Sequence, residues 1–142
     1  MEPNRLHYSP RPTPHSRPIS RSIAIPRPTL LTAALRRQLL LNGHKSRSQP
    51  DFDPVPIVKL FTPDASATWL LTELSPDDPD LAFGLCDLGL GSPELGYVSL
   101  SEIAGIRGRL GLPVERDRWF TTAEPLSFHL RHTREKGRHS MR

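Results

Sequence analysis

A chain of 142 residues with 16 prolines, one cysteine and 19 Lys/Arg against 15 Asp/Glu has the length of one domain. The lone cysteine, Cys86, excludes an internal disulfide and any zinc site built from several cysteines. No stretch approaches the roughly 18 apolar residues of a membrane span, and the N-terminus lacks the apolar core of a signal peptide, so a cytoplasmic location is the expectation.

Seven of the prolines fall within residues 1–28, among arginines and serines. Proline fixes φ and lacks an N–H, so neither helix nor central strand is expected there. With few large apolar side chains to offset chain entropy, the segment reads as a disordered tail. "TLLTAALRRQLLLNG", Thr29 to Gly43, follows as a helix. Leu31, Ala34, Leu35 and Leu39 share one face, Thr29 or Thr32 can cap its start, and Gly43 suits the left-handed position after its end. His44 to Pro54 is a polar loop. Short apolar runs then alternate with turn residues. Val55–Phe61, Thr68–Leu74, Leu81–Gly89 and Gly96–Ser99 read as strands, and Asp117–Thr121 as a fifth. Six-residue loops are too short for helical crossovers, so these strands are expected to pair antiparallel. Gly84 inside the third strand marks a bulge or a close neighbour.

Ser99 and Glu102 have the spacing of a capping box, with Val98 and Ile103 placed as its hydrophobic staple. Leu100, Ile103 and Ala104 share a face, and Gly108 can end this second helix. The expected fold is α+β: a four- or five-stranded, mainly antiparallel sheet with two helices on one face. It spans residues 29–126, between basic disordered tails at 1–28 and 127–142.

Charge divides along the same boundaries. Residues 1–50 carry a net charge of +8, residues 51–126 carry −8 and residues 127–142 carry +4. The high pI therefore describes the tails.

The sequence holds few chemical motifs. Asp77, Asp78 and Asp80 form an acidic turn, but Pro76 and Pro79 interrupt it and no glycine is placed for a calcium loop. "GLGSPE", Gly89 to Glu94, lacks the third glycine of a dinucleotide loop, and no phosphate loop of the GxxxxGK type occurs. All six histidines lie outside residues 51–126, so a histidine-based catalytic or metal site would need a tail or a helix exit. Carboxylates remain: Asp64, Glu73, Asp87 and Glu94 fall on the turns and strands of one sheet. If they converge they can hold a metal ion for hydrolysis or serve as acid and base.

"VKLFTPDASATWLLTEL", "AFGLCDLGLGSPELGYVSLSEI" and "RGRLGLPVERDRWF" together resemble the DUF2958 family over roughly Leu30 to Leu126. The Phe-Thr-Pro-Asp turn followed by Thr68 and Trp69, the Glu94–Tyr97 segment and the Leu112–Asp117 segment carry the resemblance. It implies a small bacterial protein of plasmids and other mobile elements with no assigned activity, so no catalytic residue transfers. Residues 1–28 have no counterpart in it.

Three functions follow as expectations. The first is a non-enzymatic interaction protein whose acidic domain binds a basic protein surface, without a cofactor. Asp64, Trp69, Glu73, Asp87, Glu94, Tyr97, Glu115 and Arg116 are its candidate binding residues. The second is a carboxylate- or metal-dependent hydrolase or nuclease. The third is nucleic-acid binding through the basic tails.

Overall fold

The computed structural model of the chain describes residues 30–140. The expected extent of the first tail, residues 1–28, lies outside them. Helix α1 spans Ala33–Ser48. The Thr32 hydroxyl caps it by accepting from the Leu35 N–H at 3.1 Å, and Lys45 and Arg47 occupy its last turn, where cations suit the helix dipole.

Five strands follow: β1 at Val58–Phe61, β2 at Thr68–Leu74, β3 at Leu81–Asp87, β4 at Glu94–Ser99 and the two-residue β5 at Glu115–Arg116. Their spatial order is β4-β3-β2-β1-β5, and every pairing is antiparallel. Helix α2 is the short segment Leu100–Ala104, and helix α3 runs over Leu126–Ser140. Over the described residues the molecule is the expected α+β sheet, with one helix more there than expected.

Alternation along the strands builds the core. Val58 pairs with Leu71 and Leu60 with Trp69, so these four side chains share a face. Leu31 and Leu39 from the α1 side and Leu100 and Ile103 from α2 join them in one buried cluster. α1 and α2 thus cover the same face, as the capping and periodicity signals imply. β2 and β3 slip register between Leu71 and Glu73, which sets Leu74 opposite Ala82 and returns it to the cluster. Gly84 stands opposite Leu71 at this slip.

Three expectations about the helices change. α1 does not stop at Gly43 but continues to Ser48 through part of the expected loop. Gly43 is buried inside it because a Cβ there would overlap the Leu74 carbonyl oxygen. α2 ends at Gly105, not Gly108. The expected disordered tail from residue 127 is helical: α3 lies against β3, and Gly137 packs on Gly91 in the β3–β4 turn. Leu85, which alternates away from the α1 side, is buried along with Leu126.

The start of α3 is set from far along the chain. The Leu126 N–H donates to the Pro54 carbonyl at 3.0 Å, and the Ser127 N–H donates to Asp53 Oδ1 at 3.1 Å. Phe128 stacks on His132, and His129 Nε2 lies 3.0 Å from the Thr122 hydroxyl. Burial holds the His129 imidazole below the ordinary histidine value.

With α1 and α3 included, residues 30–140 hold 13 Lys/Arg against 14 Asp/Glu. The folded unit is close to neutral, because its helices carry the cations that balance the acidic sheet. The seat of Gly43 can be tested by mutation. In an unobstructed helix interior, Gly to Ala gains about 0.5–1 kcal/mol. Gly43→Ala is expected to cost about 1–3 kcal/mol by overpacking against β2, measured by urea unfolding.

Candidate functional site

The edge of the sheet formed by β5 carries the most exposed aromatic group of the described residues. Leu60 pairs with Arg116 and Phe61 with Glu115, and the Asp117 N–H donates to the Lys59 carbonyl at 2.9 Å. There the strand stops. Asp117 Oδ1 accepts from the Trp119 N–H at 3.0 Å, and the Phe120 N–H donates back to the Asp117 carbonyl. This side-chain-capped turn replaces the strand expected over Asp117–Thr121. It turns Trp119 outward, so the residue is 89% exposed.

A cleft of about 680 Å³ opens beside Trp119, between the β1–β2 turn and the β5 segment, with Lys59, Thr62, Ser66 and Arg118 in its lining. Arg116 and Arg118 also border a second groove of about 980 Å³, together with Arg36 and Arg107. Arg116 donates to the Leu30 carbonyl at 2.6 Å, and Arg107 donates to the Ala104 and Ile106 carbonyls. Arg118 makes no hydrogen bond or ion pair among the described residues.

The carboxylates that a metal or acid–base site would need do not assemble. Asp64 Oδ2 accepts from the Leu110 N–H at 2.6 Å and the Leu112 N–H at 3.3 Å, so it organises the loop after α2. Gly108 lets that loop approach, since a Cβ there would overlap the Asp64 carboxylate. Glu73 is buried and accepts from the Ser46 hydroxyl of α1 at 2.7 Å. Asp87 accepts from the Gly89 N–H at 2.9 Å and shapes the β3–β4 turn. Glu94 is exposed at the start of β4, opposite Cys86. Among the described residues, no three His, Cys, Asp or Glu side chains stand together as a metal-binding group. Burial, aided by Asp87 and Glu94, pushes the Cys86 thiol up, away from the reactive thiolate.

The remaining candidates separate by exposure. Trp69 is only 4% exposed and belongs to the core, so it is not available to a partner. Tyr97 is 56% exposed on β4, where its ring meets Phe83 edge-on at 5.2 Å between centroids. Glu115 and Arg116 lie at the opposite edge beside Trp119. Of the eight candidates, these two alone line the cleft next to Trp119. Trp119 itself was not among them. The signal that exposes it is Asp117, two residues earlier, whose side chain favours a turn where a strand would have buried the ring.

A sheet of five antiparallel strands with helices on it, and no metal-binding group of His, Cys, Asp or Glu among the described residues, defines a small α+β module. The chain matches the model of DUF2958, described as a protein of unknown function, over residues 30–140, and it belongs to that family. The match takes in α3, beyond the span over which the sequence resemblance was recognised. No curated protein and no solved structure matches the chain. Among the described residues, no helix is long and apolar enough to cross a membrane.

The Asp64 cradle predicts a local effect. Asp64→Ala removes the acceptor for two loop amides and is expected to cost about 1–3 kcal/mol. Hydrogen exchange should quicken at Leu110 and Leu112 while the β2 and β3 amides keep their protection.

Proposed function

We propose that the protein is a non-enzymatic interaction module that docks a protein partner at the β5 edge of its sheet, with Trp119 as the anchor. The exposed indole carries this proposal. An apolar ring of this size left almost wholly in water loses favourable transfer energy that burial in a partner would recover. Tryptophan and arginine dominate the energetic centres of protein interfaces, and Arg118 lines the same cleft with no partner among the described residues. The 680 Å³ cleft alongside gives a partner side chain a concave surface to enter.

The expected basic partner remains part of the proposal. It rests on the net charge of −8 over residues 51–126, which the basic residues of α1 and α3 offset in the folded unit. The indole is therefore the stronger support, and salt dependence of binding reports on the charge. A cytoplasmic role in a bacterial mobile element is likewise proposed, from the family resemblance. A hydrolase built on Asp64, Glu73, Asp87 and Glu94 has less support, since the first three carboxylates each accept hydrogen bonds within the fold. Nucleic-acid binding by tails has less support at the C-terminal end, where α3 packs on the sheet.

Affinity capture from the native bacterium tests the proposal, with the full chain and its Trp119→Ala variant as baits. A partner retained by the first should be lost by the second. Dissociation constants for the purified pair should differ by about 30-fold or more, as for interface anchors. Unfolding curves should coincide, because Trp119 contributes little to the core. Equal capture by both baits would refute a role for this edge.

A further inference from the structure

We propose that β4, at the other edge of the sheet, pairs antiparallel with β4 of a second copy of the chain. The directions of the backbone groups are the starting point. The Ser75 N–H donates to the Leu81 carbonyl and the Leu100 N–H donates to the Asp80 carbonyl. Antiparallel ladders alternate, so odd-numbered residues of β3 face β2 and even-numbered residues face β4. On β4, Glu94, Gly96 and Val98 therefore bond inward to β3. Leu95, Tyr97 and Ser99 direct their N–H and C=O groups away from the sheet.

Among the described residues, this edge lacks the devices that keep sheet edges apart. Its six residues contain no lysine, proline or bulge in the β3–β4 pairing, and the one charge, Glu94, stands at its end. Leu95 and Tyr97 are 43% and 56% exposed, and Leu88 and Leu90 in the adjoining turn extend the apolar surface.

The strand is complementary to itself in one register. A two-fold axis through Gly96 sets Leu95 against the partner's Tyr97 and Tyr97 against the partner's Leu95. These are hydrogen-bonded positions, and the pairing joins an aromatic to an aliphatic residue on one face. Glu94 meets the partner's Val98, so no like charges oppose. Gly96 faces the partner's Gly96 at a non-hydrogen-bonded position, where strands approach to about 4.5 Å between Cα atoms. No atom comes within 4 Å of a Cβ built on Gly96, so this position is open. The product is a continuous ten-stranded sheet.

Light scattering on the purified full chain should give a dimer. Leu95→Lys combined with Tyr97→Lys places two ammonium groups opposite each other twice. It should weaken dimerisation by about 30-fold or more, with an unchanged circular dichroism spectrum. Mixing the single variants Leu95→Lys and Tyr97→Glu should restore pairing as a heterodimer. In a Cys86→Ser background, Gly96→Cys should form a covalent dimer under mild oxidation, whereas Val98→Cys, which faces the partner's Glu94, should not. A monomeric wild-type chain, a dimer indifferent to the double lysine variant, or equal cross-linking at positions 96 and 98 would each overturn the proposal.

Discussion

Where the chain leaves β2, β3, β4 and β5 it exposes backbone N–H groups that need acceptors, and aspartate supplies them. Asp53, Asp64, Asp78, Asp80, Asp87 and Asp117 each accept from a backbone N–H. A short carboxylate can reach an amide two residues ahead, as Asp87 and Asp117 do, or one brought near by the fold, as Asp53 and Asp64 do. Charge-assisted bonds of this kind are stronger than neutral ones, and an unmet buried amide is costly. Six of the thirteen acidic residues in 51–126 thus serve as turn and cap instructions. The carboxylates that a hydrolase would draw together are held apart by these separate duties.

The same distinction decides what could be read in the sequence. β2 was legible to its last residue, because Thr68–Leu74 is apolar and β-branched between two turn clusters. The β4–α2 corner was legible from Ser99, which accepts from the Glu102 N–H at 3.2 Å. Its second half was not. Instead of a return bond from Glu102, Asp80, just before the neighbouring β3, accepts from the Ser99 and Ser101 hydroxyls and the Ser101 N–H. Gly43 imitated a helix stop because a left-handed cap is a local signal, whereas its real constraint is a β2 carbonyl about thirty residues away. α3 was hidden for a similar reason. Its first amides are satisfied by Pro54 and Asp53, over seventy residues earlier, and its composition is that of a charged tail.

The candidate site was legible only in part. Glu115 and Arg116 were singled out and do border the cleft beside Trp119. Trp69, the more prominent tryptophan in the recognised motif, is structural. In sequence the two look alike. What separates them is whether the backbone is paired, which buries one ring, or capped by Asp117, which releases the other. The two proposed surfaces occupy opposite edges of the sheet, so they need not compete. If β4 joins two copies, the Trp119 surfaces stand at the outer ends of one sheet, and a partner with two docking sites would gain from simultaneous engagement.

The account depends on aspartates acting as structural acceptors, and Asp80 tests this most directly. Hydrogen bonds from Ser99 and then Ser101 hold its carboxyl below the ordinary aspartate value. A folded value below the unfolded one means that its contribution to stability is present above the unfolded value. That contribution is lost as pH falls through the folded value. The measurement is a carboxyl carbon NMR titration of Asp80, followed together with the Ser101 amide. The account predicts a midpoint below the usual aspartate range and an amide shift that tracks the same curve. An Asp80 midpoint at or above that range, with a Ser101 amide indifferent to it, would contradict the account.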